Sequence, residues 1–170
     1  MRSPAEKRIL SAMNTRSGRN VLVFLGWLAL TFSAAATAVF IRADGWYAGL
    51  VKPSWNPPVW LFGPVWTALY ALMAVAAWLV WREGGWRTRR RALGLYLVQW
   101  TLNALWTPIF FGLHRPDLAF AGILLLDVAV LATLTAFWRA KRLAGALLVP
   151  YALWVAFATV LNGVIWRLNA

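Results

Sequence analysis

Residues 52–70 read Lys-Pro-Ser-Trp-Asn-Pro-Pro-Val-Trp-Leu-Phe-Gly-Pro-Val-Trp-Thr-Ala-Leu-Tyr. Prolines stand at Pro53, Pro57, Pro58 and Pro64, and tryptophans at Trp55, Trp60 and Trp66. Each proline fixes φ and removes a backbone donor, and each residue before a proline is driven toward extended geometry. Residues 52–58 therefore cannot form a helix. Three of the next eight positions are aromatic, so the run is not a solvated linker either. The reading is a stiff, tryptophan-bearing loop that feeds a helix, with Pro58 at its first turn, where a missing N–H costs nothing. Such a loop beside an apolar helix is expected to act as a lid over a binding site.

The rest of the chain explains what that helix belongs to. Of the 170 residues, 62% are hydrophobic and the mean hydropathy is +0.63, well above a soluble domain at roughly 45–50% apolar. Apolar stretches at about 20–41, 60–81, 92–113, 117–138 and 143–166 each reach the ~20 residues that a bilayer core demands of a helix. Only helices and closed barrels can span. The alternating ten-residue pattern of a barrel is not visible. The expectation is an all-α membrane protein, a bundle of five transmembrane helices over residues 20–170, preceded by a basic tail at 1–19. The first stretch is too long for a signal-peptide core.

The net charge of +12 could suggest nucleic acid, but its distribution argues otherwise. Thirteen of the seventeen Lys/Arg fall in the tail, in 82–91 and in 139–142. Only Arg42, Lys52, Arg115 and Arg167 fall on the other side. With five spans, the positive-inside rule puts the N-terminus in the cytoplasm, with the cell membrane favoured and a bacterial outer membrane as the alternative. There is no cysteine and one histidine, which removes disulfides and thiolate metal sites. No paired carboxylates, nucleophile triad or phosphate loop occurs. No catalytic residue or metal site is expected, and no cofactor is required.

Helical spacing gathers candidate binding residues. Gln99, Asn103, Trp106 and Phe110 make one stripe of the third span, Phe62, Trp66 and Tyr70 one of the second, and Tyr151, Trp154, Ala158 and Leu161 one of the fifth. Counting about 1.5 Å per residue puts these groups in the outer half of the membrane, on the side of the proline-rich loop. A cavity walled by them would suit a flat, hydrophobic ligand; the competing reading is that the stripes pack on one another. Asp127 is the one carboxylate within an expected span. It should face the bundle and find a partner, either as a polar anchor in the cavity or in an interhelical hydrogen bond, with Asn103, Gln99 or a hydroxyl such as that of Thr101 as candidate partners.

Trp46-Tyr47-x-x-Leu50-x-Lys52-Pro53-Ser54-Trp55-x-Pro57-Pro58 followed by Gly63-Pro64-Val65-Trp66-x-x-Leu69-Tyr70 resembles the tryptophan-rich sensory protein/translocator protein family, whose mitochondrial member is also called the peripheral benzodiazepine receptor. Gln99-x-x-x-Asn103-x-x-Trp106, Asp127 and Pro150-Tyr151-x-x-Trp154-x-x-Phe157-Ala158 extend the match over about residues 20–168. The resemblance implies a five-helix bundle, often a homodimer, that binds porphyrins such as protoporphyrin IX or haem. In many members it also binds cholesterol and benzodiazepine- or isoquinoline-type molecules. Tyr47, Trp55 and Pro57 match the family's lid. Trp66, Asn103, Trp106, Trp154, Ala158 and Leu161 match its pocket. Some bacterial members are reported to degrade porphyrin in light through tryptophans matching Trp66 and Trp154, so a photochemical activity stands as the alternative to a receptor or carrier, as does a scaffold acting through protein partners. One departure stands out. Gly163 occupies the position of a tyrosine that accompanies strong cholesterol binding, a motif that is weak on its own.

Overall fold

A computed structural model of the chain describes residues 4–37 and 45–170, with side chains from residue 18 onward within those ranges. Residues 38–41 of the expected first span, Arg42, and the basic side chains of Arg2, Lys7, Arg8 and Arg16 lie outside the described residues. The elements in chain order are α1 (Pro4–Ser33), a short α2 (Gly45–Gly49), α3 (Val59–Arg82), α4 (Gly85–Thr107), a π-helical turn (Pro108–Gly112), α5 (Pro116–Ala140) and α6 (Arg142–Leu168). No strand occurs among the described residues. The five long helices bear out the expectation of an all-α membrane bundle.

Three of the five, α3, α5 and α6, are long and apolar enough to cross a bilayer unaided. The apolar part of α1 is shorter, Gly18–Ser33. Within the expected span, Thr31, Ser33 and Thr37 turn their hydroxyls onto the carbonyls of Trp27, Leu30 and Ala34. This competes with the helical ladder, and a turn follows at residues 34–35. The third apolar span keeps its expected bounds, but its helix starts earlier and closes in a different kind of turn. Arginines 87, 89, 90 and 91, expected in a connecting loop, lie inside α4, whose backbone breaks helical geometry at Arg89 (φ −113°, ψ 19°). The apolar part of this span runs from Ala92 through the π turn. That turn was not foreseen. Pro108 has no N–H to continue the α ladder, and the Leu113 N–H donates to the Pro108 carbonyl over five residues at 2.9 Å.

Small residues let the helices approach closely, as membrane packing requires. Ala74, Ala76 and Ala77 of α3 are fully buried beside Met73 and Val80. The most extensive contact joins α5 and α6. A side chain at Gly145 would sit 2.7 Å from the Trp138 Cα, and one at Gly163 would sit 2.8 Å from the Phe120 ring. The departure from the family pattern at Gly163 is thus filled by a neighbouring aromatic ring. Pro150 lies in the interior of α6, not in its first turn.

The two ends of the bundle are chemically distinct. At one end the Lys141 ammonium donates to Glu83 at 2.8 Å, tying the α3–α4 turn to the α5–α6 turn. Arg82, the α4 arginines, Arg139 and Arg142 gather there. At the other end the Asn169 side chain bonds both the N–H and the carbonyl of Val51, each at 2.9 Å. The Asn162 amide donates to the Pro116 carbonyl nearby. The proline-rich loop is therefore pinned to the far end of α6.

Two outcomes follow from this packing. Gly145→Val is expected to lower stability by about 1–3 kcal/mol through overpacking, read as a fall in the thermal unfolding midpoint in detergent; an unchanged midpoint would contradict the close α5–α6 approach. Lys141 holds the Glu83 carboxyl below its ordinary range, chiefly through the hydrogen bond. A depressed carboxyl stabilises above its unfolded pKa and loses that contribution as pH falls through the folded value. The melting difference between the wild type and Glu83→Gln should accordingly be present at neutral pH and vanish in acid.

Candidate functional site

The proline-rich stretch arranges its aromatic groups by backbone constraint. The Asn56 N–H closes a turn on the Pro53 carbonyl at 3.0 Å. Pro58 is extended (φ −62°, ψ 144°) and caps α3, one position before the expected first turn. Residues 52–58 are non-helical, as the prolines dictate. Tyr47 on α2 is buried beneath this loop. Its ring meets the edges of Phe110 and Phe111, with centroids 6.2 and 5.3 Å apart, and its hydroxyl donates to the Asn56 side-chain oxygen at 3.3 Å. Burial pushes the Tyr47 hydroxyl pKa up, with the Asn56 bond acting the other way, so it stays a neutral donor.

Below Tyr47 lies a cavity of about 450 Å³, within the range of small-molecule sites. Of the eleven residues singled out from the sequence, Tyr47, Phe62, Trp66, Asn103, Trp106, Trp154, Ala158 and Leu161 line it. The π turn shapes one wall. Phe110 is buried and stacks on Trp106 at 4.9 Å, and Phe111 packs edge-on against both. Trp66 lies 5.2 Å from Tyr70, and Phe62 meets Trp154 at 5.9 Å. Ala158 leaves room that a larger side chain would take. Sequence reasoning missed Phe32, Ala34 and Ala35 at the end of α1 and Ile123 and Leu126 on α5. The small-residue run after Ser33 was the available signal for the first three.

Three candidates stand outside the cavity. Trp55 is 46% exposed and reaches the Phe157 ring at 5.9 Å. Pro57 lines a separate outer pocket. Asp127 bonds the Thr159 hydroxyl at 2.7 Å, linking α5 to α6. Its neighbour Leu126 points into the cavity, and one residue along a helix is a rotation of about 100°. The arrangement is the interhelical hydrogen bond, made with a hydroxyl as one of the expected partner types, though from Thr159 and not from Thr101.

Tyr70 and Asn103 of the cavity wall belong to a buried hydrogen-bonded chain that continues to Tyr151 and Gln99, which do not line the cavity, and among the described residues the Gln99 side-chain nitrogen at its end has no partner. Tyr70 donates to the Asn103 oxygen at 3.0 Å, the Asn103 amide to the Tyr151 hydroxyl at 3.3 Å, and Tyr151 to the Gln99 oxygen at 2.8 Å. All four residues are buried. The Trp106 indole donates to Asn162 at 3.2 Å. Among the described residues no cluster of His, Asp or Glu could hold a metal ion. The site can therefore bind a flat apolar molecule and orient it through few polar contacts. Asn103→Ala should cost about 1–3 kcal/mol, because it strands the buried Tyr70 hydroxyl and removes one of the two bonds of the Tyr151 hydroxyl. Asp127→Ala should cost about 1 kcal/mol and leave ligand affinity unchanged. Chemical unfolding paired with ligand titration measures both, and weakened binding in Asp127→Ala would place that carboxylate in the site.

Comparison with known proteins agrees with this geometry. The chain is 46% identical over 134 residues to the translocator protein of Homo sapiens, covering 76% of this chain and 79% of that protein. It is 42% identical over 147 residues to the tryptophan-rich sensory protein of Cereibacter sphaeroides, covering 86% and 91%. It is 42% identical over 154 residues to the tryptophan-rich protein TspO of Archaeoglobus fulgidus, covering 89% and 99%. The sequence profile of the TspO/MBR family matches residues 20–167. With five packed helices, a proline-stiffened lid and these relatives, the chain is an integral membrane protein of the TspO/MBR family.

Proposed function

We propose that the protein is a membrane receptor or carrier for porphyrins, binding protoporphyrin IX or haem in the cavity beneath Tyr47 and regulating tetrapyrrole levels or transport. The observation that carries this reading is an aromatic cavity of about 450 Å³ whose walls include Trp66, Trp106 and Trp154. Aromatic side chains reward a planar π-ligand beyond simple area burial. Tyr70 and Asn103, the members of the buried hydrogen-bonded chain that line the cavity, supply a polar edge without a fixed charge. Sterols and benzodiazepine- or isoquinoline-type molecules fit the same chemistry in part, although Gly163 speaks against strong cholesterol binding. The porphyrin is cargo or signal, not a resident cofactor. We further propose that the protein works as a homodimer in the cell membrane with its arginine-rich end in the cytoplasm, as the positive-inside rule favours.

Tryptophan fluorescence of the detergent-solubilised protein, titrated with protoporphyrin IX in the dark, tests the reading. Saturable quenching at micromolar ligand is expected, and Trp66→Ala should raise the Kd about tenfold, close to the ~1 kcal/mol of one aromatic contact. A folded sample without saturable quenching would overturn it. Illumination adds a second arm, because Trp66 and Trp154 line one cavity. A new absorbing product that disappears in Trp154→Phe would favour photochemical porphyrin breakdown over passive binding.

A further inference from the structure

A second pocket, of about 370 Å³, lies on the loop side of Tyr47. It shares Tyr47 and Val59 with the aromatic cavity, so an inner chamber and an outer one adjoin at these two residues. The chemistry of the outer chamber is the opposite of the inner. Among the described residues its polar side chains are Tyr47, Lys52 and Asn56, and none of its lining residues is a carboxylate. The Lys52 ammonium donates to the carbonyls of Leu50 at 2.8 Å and Ala48 at 3.2 Å, and sits 4.7 Å above the Tyr47 ring. An ammonium has three N–H donors, and these bonds use two. Asn56 accepts from Tyr47 and donates one amide hydrogen to the Pro57 carbonyl at 3.0 Å, which leaves its second hydrogen for another acceptor.

The charge on Lys52 is held in place and, among the described residues, meets no carboxylate. Among the described acidic side chains, Glu83 pairs with Lys141, Asp117 with Arg115, and Asp127 with Thr159. Two backbone carbonyls and an aromatic face fix the ammonium within a loop already stiffened by Pro53, Pro57 and Pro58. A preorganised cation with an adjacent amide donor is a receptor for an anionic oxygen, and charge-assisted hydrogen bonds are about twice as strong as neutral ones.

We infer that the outer chamber is a carboxylate subsite, in which Lys52 Nζ and Asn56 Nδ2 receive the acid group of an amphipathic planar ligand whose apolar face fills the inner cavity. This rests on the porphyrin reading and deepens it, since protoporphyrin IX carries two propionates on one edge of an apolar ring. The site then selects ring acids over neutral rings of the same shape.

The test compares protoporphyrin IX with its dimethyl ester, titrated against the full chain in detergent as wild type, Lys52→Met and Lys52→Arg. The wild type should bind the diacid about tenfold more tightly than the ester. Lys52→Met should bring the diacid to the affinity of the ester while leaving the ester unchanged, which also shows that the cavity is intact. Lys52→Arg should keep the preference for the diacid. Equal binding of diacid and ester by the wild type, or a preference that survives in Lys52→Met, overturns the subsite and leaves the porphyrin reading standing. Failure of the wild type to bind either molecule overturns both.

Discussion

Hydrogen bonds that no water can replace hold this bundle around an opening. Within a bilayer, a buried hydroxyl or amide must find its partner in the protein. Tyr70, Asn103 and Tyr151 do so as one directional chain that ends on the Gln99 oxygen and crosses α3, α4 and α6. The chain fixes the rotation of three helices at once. With those rotations set, Trp66, Trp106 and Trp154 have no freedom to turn toward lipid, and their rings wall a space. A bundle held only by apolar contact could close that space by sliding, whereas one pinned by a polar chain cannot without stranding a donor.

The lid completes the constraint from outside. Prolines remove the conformations in which residues 52–58 could fold away, and Asn169 anchors Val51 from the end of α6. Tyr47 is thereby pressed between the loop and the aromatic pair at Phe110 and Phe111. The same residue faces an apolar chamber on one side and an ammonium on the other. The boundary between hydrocarbon-like and charged surroundings thus falls within one side chain, which suits a phenol with an apolar body and a polar tip.

Much of this was legible in the residues. The five apolar stretches became five long helices, and the stripes Phe62–Trp66–Tyr70 and Asn103–Trp106–Phe110 became two walls of the cavity, because period 3.6 converts spacing into a face. What escaped has physical reasons. Asp127 was legible as a carboxylate that needed a partner, but Thr159 lies 32 residues away in sequence, and no periodicity within one helix reveals a contact between two. The helical arginines of α4 read as a loop because polarity was taken for irregularity. Ile123 and Leu126 were invisible as lining residues because apolar side chains on a membrane helix look alike whether they face lipid, a neighbour or a cavity.

The π turn at Pro108–Gly112 has a consequence for how such a pocket can diverge between relatives. A helix with one extra residue in a turn carries a local phase shift of about 100°. Phe110 and Phe111 sit inside that shift, while Asn103 and Trp106 sit before it. A deletion of one residue there would restore α-helical phase and swing the two rings off the cavity wall, leaving the polar chain and the indoles where they are. Ligand shape and bundle integrity are therefore encoded in separable parts of one span, and the contour of the cavity can change by a single codon without disturbing the hydrogen bonds that hold the helices together.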